Sequence, residues 1–438
     1  MNLKLVKPFN IVFMYSTDKS KKFLLIAPSY ACLDTTGGGQ RTLLIYQSLL
    51  VLGKVDVVIV GKGYLPFLKK FFPDANSINL IEHLERGQFG KWRWVRPLSP
   101  KLVDQIATVF GERSIEYQAD PQVLSLVTDL INKNNYDFIV GRYLRPTARS
   151  GVFNQNTIPI LLDIDDLDDS VFRSRLNQPN LNPLLRPLIT RQLRQIEEIM
   201  PPLIEKCKHI WVTNENDARR INHPSVSLLP NIPYQFSISN LVVPSFKQSN
   251  SPVILFVGTY GHRVNREAML RFVKHCWPKI HGVVAQAKLR IVGSGGWEKI
   301  ESVIGQIPGV EVVGFVENLA EEYEQCTFTI VPIFEGGGTK IKVVESLFYG
   351  RTAIITSHAH NGYETLQNGE YLLVAENETE FINHCIQLLK EPELCIKMAE
   401  KGQAKVVKEY STNGFQSIIK ETLNTVNNGV PSELIKTQ

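Results

Sequence analysis

The sequence predicts an α/β protein built from two doubly wound parallel sheets in tandem. Three observations predict it. Short β-branched runs alternate with helical segments along most of the 438 residues. In each half, one glycine-rich loop follows a strand and opens a helix, Gly37-Gly38-Gly39 in the first and Gly336-Gly337-Gly338 in the second. Between them the alternation fails where Ser237 to Ser251 turns rich in Ser, Asn and Pro. A chain of this length also suits two domains of ~100–200 residues each.

Taken in order, Phe23 to Ala27 is an apolar run closed by Pro28, and a helix from Gln40 to Leu52 stops at Gly53. Val55 to Val60 is the next strand, which completes a β-loop-α-β unit. Ser99 to Ile131 reads as mostly helical. Phe138-Ile139-Val140, Pro159 to Ile164 and His209 to Thr213 read as strands, the last of them closing the first half. The second half repeats the pattern. Strands are expected at Val253–Gly258, Lys288–Gly293, Val310–Val313, Thr327–Pro332 and Thr352–Thr356, with helices at Arg266–Val273 and Lys340–Phe348. The domain expectation is residues 1–236, a linker at 237–251, and residues 252–410, with a terminal helix at about 411–428 packing back on the first domain.

A hydrophobic fraction of 43% with 21% charged residues supports a buried core. The net charge of +5 is too small and dispersed for nucleic acid, but it suits an anionic ligand or an anionic membrane surface. The six cysteines form no C-x-x-C pair, so buried free thiols in a reducing compartment are expected. No run reaches the ~18 apolar residues of a spanning helix, and the first sixteen residues lack a signal-peptide pattern. A cytoplasmic protein that can touch the inner face of the membrane is expected.

The stretch Pro332 to Glu345 carries the most chemistry. It runs strand, glycine loop, helix. Glycines let backbone N–H groups approach an anion, and a helix N-terminus adds a favourable dipole. Thr339 supplies a hydroxyl, and Lys340 and Lys342 supply charge. Together they form a cradle for a diphosphate, and Glu345 can accept both hydroxyls of a ribose. A plain glycine turn with a solvated lysine face is the alternative. No Gly-Lys-Ser/Thr ends the loop, which excludes a Walker A motif.

Gly-Gly-Gly-Thr-Lys-Ile-Lys-Val-Val-Glu, followed by Tyr349 to Thr356, resembles the signature of family 4 (group 1) glycosyltransferases, in the branch with a Gly-Gly-Gly-Thr-Arg-x-Lys-x-x-Glu loop. Phe256-Val257-Gly258, Leu289 to Gly295, Gly314-Phe315-Val316 and Leu229-Pro230-Asn231 agree with it in order and spacing. The resemblance implies the GT-B fold, two Rossmann-like domains facing across a cleft. It implies sugar transfer from a nucleoside diphosphate sugar with retention, to a glycan or lipid-linked saccharide, without metal or cofactor. The implied donor-binding residues are Gly258, Phe315, Val316, Gly337, Gly338, Thr339, Lys340, Ile341 and Glu345. Lys342, Arg142 and Arg263 are the candidates for stabilising the departing diphosphate. Gly37, Gly38, Gly39, Asp165 and Asp166 are assigned to the acceptor side or the cleft.

The sequence departs from the family pattern in three places. The first carboxylate of the family's Glu-x7-Glu falls on Gly337, with Glu335 two positions early. Thr259 and Asn265 stand where an Arg and a Lys usually bind the diphosphate. Arg142 stands near the place of a family histidine, where a structural ion pair explains it equally well. These departures keep a non-catalytic sugar-nucleotide or glycan-binding relative as an alternative. A nicotinamide-dependent enzyme fits the fold class but lacks the fingerprint, because the third glycine after Gly293-Ser294-Gly295 would fall at Glu298. The aspartates 163, 165, 166, 168 and 169 read either as a metal-diphosphate site or as carboxylates that face the cleft and pair with Arg173 and Arg175. Lys91 to Arg96 and Arg173 to Arg194 read either as basic lipid-facing segments or as solvated faces.

Overall fold

The computed structural model describes residues 20–33, 36–81, 116–119, 121–177, 181–233, 251–335 and 338–428. Lys91 to Arg96, Gly336, Gly337 and most of the expected linker lie outside them, as does the first part of the expected 99–131 helical region.

The first sheet has seven strands: β1 (Lys21–Pro28), β2 (Gly53–Val60), β3 (Ser77–Ile81), β4 (Phe138–Arg142), β5 (Ile160–Ile164), β6 (His209–Val212) and β7 (Val226–Leu228). Their spatial order is β3-β2-β1-β4-β5-β6-β7. The second sheet has six: β8 (Val253–Val257), β9 (Lys288–Val292), β10 (Val310–Gly314), β11 (Phe328–Val331), β12 (Ala353–Thr356) and β13 (Leu373–Ala375), in the order β10-β9-β8-β11-β12-β13. All pairings are parallel. Parallel strands are covered on both faces, which is why Phe23 to Ala27 and Ile254 to Phe256 are continuous apolar runs and fully buried. The expectation that His209–Thr213 closes the first half is corrected by β7, which pairs in register with β6 through Ile210 and Val226. Its three residues are too short to show a period.

Four helices bear on the site: α1 (Gly37–Leu52), α2 (Arg263–His275), α3 (Lys342–Phe348) and α4 (Thr412–Asn427). Thr36 caps α1, its Oγ1 accepting from the Gly39 N–H at 3.2 Å. A Cβ at Gly39 would collide with the Leu33 carbonyl oxygen, so only glycine lets the β1 loop turn this tightly into the helix. Gly258 and Gly293 meet as closely in the second half, with Gly293 at φ 144° and a Cβ there falling 2.1 Å from the Gly258 carbonyl oxygen.

The two halves share a core. One apolar cluster joins Leu44, Leu49 and Trp211 of the first half to Val344 and Leu347 of the second, through Phe415, Ile419 and Leu423 of α4. Helix α4 follows the second sheet in sequence yet packs on α1. Trp211 Nε1 donates to Thr422 Oγ1 at 3.1 Å, and the Arg41 guanidinium lies 5.8 Å from the Phe415 ring centre. All six cysteines are free and buried.

Phe415 is fully buried at this seam. Phe415→Ala is expected to destabilise the chain by about 3–5 kcal/mol, transfer and cavity terms together. Urea unfolding measures it, and a loss below about 1 kcal/mol would show that α4 does not hold the halves together.

Candidate functional site

In both sheets the strand order reverses beside the first strand, between β1 and β4 and between β8 and β11. Ligands of doubly wound sheets bind outside the carboxyl ends of the strands at such points. These two ends face each other. A Cβ at Gly37 would lie 3.1 Å from Ile341 Cδ1, and one at Gly338 would lie 3.1 Å from Asp166 Oδ2. Asn231 Nδ2 donates across the gap to Thr339 Oγ1 at 2.6 Å.

The first half supplies a buried polar hub. Asp163, near the end of β5, is fully buried. It accepts from Arg41 Nε at 3.0 Å and from Arg41 Nη2 at 2.5 Å, and it is ion-paired with Arg142. Arg41 Nη1 donates onward to the Pro230 carbonyl at 3.2 Å and to Asn231 Oδ1 at 3.0 Å. Arg142 Nε donates to Thr42 Oγ1 at 3.2 Å, and its Nη2 to the Gly38 carbonyl at 3.3 Å. Asn231 Nδ2 also reaches Asp165 Oδ1 at 2.7 Å. A buried carboxylate survives only when its charge is paired and its lone pairs are filled, and these contacts do both.

The second half supplies the loop. Gly338 sits at φ 72°, in the left-handed region that favours glycine. Lys340 is buried and its Nζ is bonded to the Gly338 carbonyl. Lys342 opens α3. Its Nζ donates to Asn265 Oδ1 at 2.9 Å and lies 4.5 Å from the Phe256 ring centre. A Cβ at Gly258 would fall 2.9 Å from that Nζ, so the glycine makes room for the ammonium. Burial pushes Lys340 down to about 8, against the pull of Asp166 and Asp165. Burial, with Lys340 adding to it, pushes Lys342 down to about 7, against Glu345. Burial raises the Glu345 carboxyl to about 7, against Lys342. Asp166 and Asp165 act on Lys340 and Glu345 acts on Lys342, and an anion arriving beside the two lysines would favour the charged form of both.

The remaining sequence-predicted residues fall as follows. Arg142 is inside the hub, with its guanidinium turned to Asp163, Thr42 and Gly38. Arg263 is at the rim of α2, 2.6 Å from Glu267 and 3.8 Å from Glu335. Phe315 is 71% exposed after Gly314, and Val316 packs against the Leu255 cluster. The five aspartates separate. Asp163 goes to the hub and Asp165 and Asp166 to the cleft. Asp168 accepts from the Tyr117 hydroxyl at 2.6 Å, and Asp169 pairs with Arg173 at 2.6 Å and also with Arg220. Among the described residues no three His, Cys, Asp or Glu side chains converge to hold a metal ion. Sequence reasoning missed Arg41 and gave no role to Asn231 of the Leu229-Pro230-Asn231 segment, because their partners lie 122 and 108 residues away.

The chain is similar over nearly all its length to solved structures. One is sucrose-phosphate synthase from Thermosynechococcus elongatus, at 15% identity and TM-score 0.62, covering 93% of this chain and 100% of that one. Another is a glycosyltransferase from Rickettsia africae, at 14% identity and TM-score 0.62, with 93% and 98% covered. A third is HepE of Anabaena in complex with UDP, at 12% identity and TM-score 0.60, with 92% and 100% covered.

The fold is GT-B.

Residues 251–391 of this GT-B chain match the family described as "Glycosyl transferases group 1", a span that holds the whole Gly338–Glu345 segment. No curated protein matches the sequence.

Glu345 offers a test of the site's electrostatics. Its carboxyl is raised in the folded chain, from 4.5 to about 7, so the folded state binds more protons between those values. Stability therefore falls as pH rises through that window, and Glu345→Gln removes the fall. The stability of Glu345→Gln minus that of the unaltered chain should grow from pH about 4.5 to about 7 and then level. A difference that is flat with pH in urea titrations would place Glu345 in water.

Proposed function

We propose that the chain is a retaining glycosyltransferase of the family 4 type. It moves a sugar, a hexose by preference, from a nucleoside diphosphate sugar to a glycan or lipid-linked saccharide. The observation that carries this reading is the Gly338–Glu345 segment at the switch point of the second sheet. There a left-handed glycine, a hydroxyl, a buried lysine, a half-buried lysine and a carboxylate converge inside the span that matches the group 1 family. The solved complexes of HepE with UDP and with UDP-glucose support a nucleoside diphosphate hexose as donor.

In this reading the loop at Gly337, Gly338 and Thr339 receives the diphosphate. Lys340 and Lys342 neutralise it, Ile341 and Val316 line it, and Phe315 borders the base. Glu345 takes the ribose hydroxyls. As the bond from the sugar's anomeric carbon to the diphosphate oxygen breaks, its electron pair goes to the diphosphate, where the lysines stabilise it. The acceptor oxygen forms the new bond on the same face and gives its proton to the departing diphosphate. Asp165, Asp166 and Gly37 to Gly39 face the acceptor. Arg142 acts by positioning, through Asp163 and Gly38, and Arg263 acts at the rim. The chain's own cations supply the charge stabilisation, with no metal or cofactor assigned a role.

Work in the cytoplasm at the inner membrane face, in polysaccharide biosynthesis, fits the exposed Leu184 and Leu185 ahead of the helix Arg186–Ile204, which carries Arg191 and Arg194. Among the described residues no helix is long and apolar enough to cross a membrane.

A thermal-shift panel of UDP, GDP, ADP, dTDP and CMP, with NAD as control, tests the donor site. One diphosphate should raise the melting temperature by mass action. Glu345→Ala should weaken that ligand about tenfold to hundredfold, the worth of ~1.5–3 kcal/mol for hydrogen bonds to a charged group. No shift with any nucleotide, or an unchanged affinity in the variant, overturns the assignment. A shift without turnover of the matching nucleotide sugars would favour the non-catalytic reading that Gly337 raises.

A further inference from the structure

Tyr143 is the one non-glycine residue with positive φ among the described residues, at φ 62° and ψ 145°. A side chain in this region is strained, and strain of this kind persists only where surrounding contacts enforce it. Here they do. The Tyr143 N–H donates to the Asp163 carbonyl at 2.8 Å, and its carbonyl accepts from Thr147 Oγ1 at 2.7 Å. The Arg142 guanidinium stands 4.5 Å from its ring centre. The phenol is thereby thrown out over the carboxyl end of β4. There its hydroxyl donates to Asp165 Oδ2 at 3.3 Å, next to Gly38, where a Cβ would fall 2.9 Å from the hydroxyl oxygen.

The strained ring is half of a pair. Tyr30, in the turn after β1, lies with its ring centre 5.7 Å from that of Tyr143, the planes 45° apart. Tyr30 is 64% exposed, beside the Tyr143 ring at the cleft. Charges from three other elements act on it. Among them are Arg145 and Arg142 on one side of the balance and Asp168 and Asp165 on the other. An exposed aromatic ring paired with a second ring whose hydroxyl reaches a carboxylate is the chemistry that holds a sugar. The apolar C–H face of a pyranose packs on the electron-rich ring, and its hydroxyls donate to carboxylates.

We propose that Tyr30 and Tyr143 form a stacking platform for a pyranose ring of the acceptor, with Asp165 receiving its hydroxyls. The strain at Tyr143 is the means by which the β4 end presents the phenol to that ring. This deepens the glycosyltransferase reading by naming the residues that hold the acceptor's sugar ring, and it rests on that reading for the word acceptor alone. The platform belongs to the first half, whereas the nucleotide residues belong to the second, so the two are separable by experiment.

The test is saturation-transfer NMR on the full chain. The probes are the methyl pyranosides of glucose, galactose, mannose and N-acetylglucosamine, and nucleotide thermal shifts are read on the same samples. Ring protons of at least one pyranoside should receive saturation. Tyr30→Ala should abolish the signal, and Tyr143→Phe, which keeps the ring and removes the hydroxyl, should weaken it at least severalfold. The ligand-free melting temperature of Tyr30→Ala should match the unaltered chain. No signal from any pyranoside with the unaltered chain, or an undiminished signal in Tyr30→Ala, overturns the platform. Loss of the nucleotide shifts alone would overturn the donor site and leave the platform judged by its own signal.

Discussion

The structure depends on how one carboxylate is kept inside it. Asp163 sits one residue before the end of β5 with no access to water, and two arginines from different elements close on it, Arg41 from α1 and Arg142 from β4. Removing one partner of such a buried group costs about 3–5 kcal/mol, because the charges left behind have no replacement for water. The pairing therefore fixes the amino-terminal end of α1 against the carboxyl ends of β4 and β5, where a doubly wound sheet places its ligand. The same arginines reach beyond the ion pair. Arg41 holds Asn231, and Arg142 holds the Gly38 carbonyl and lies over Tyr143.

Through Asn231 the constraint passes to the other half. Its amide N–H₂ serves Asp165 and Thr339 together, so the glycine loop of the second domain is registered against the acidic edge of the first by one side chain. Helix α4 provides the apolar counterpart, carrying the second half's chain back onto α1 and Trp211. The cleft is thus framed by a polar contact at its mouth and an apolar seam behind. Each lysine of the loop has its charge weakened by burial. An anion entering the frame would meet donors already in place, the preorganisation on which the proposed transfer relies.

Much of this frame was legible in the sequence. Strands buried on both faces are continuous apolar runs, so β1, β2, β8, β9 and β11 stand out. The strand-glycine-helix punctuation marks Gly338 to Glu345 without any fold. Strands β7 and β13 carry three residues each, too few for a pattern, and the half-buried Ser77–Ile81 mixes polar and apolar positions. The hub was hidden for a different reason. Five aspartates within seven positions look alike, and only the fold sends Asp163 inward to Arg41, 122 residues away, while Asp169 turns to Arg173 four residues on. Tyr143 was hidden because a strained non-glycine residue leaves no mark in composition.

The central claim is that the loop leading into α3 receives a nucleoside diphosphate. Hydrogen exchange of the full chain, with and without a saturating mixture of UDP, GDP, ADP and dTDP, measures this directly. Exchange reports which backbone amides a ligand holds closed. The account predicts slowed exchange concentrated at Thr339 to Glu345 and at the loop after β8. Slowed exchange confined to other segments, or none at Thr339 to Glu345, would contradict it.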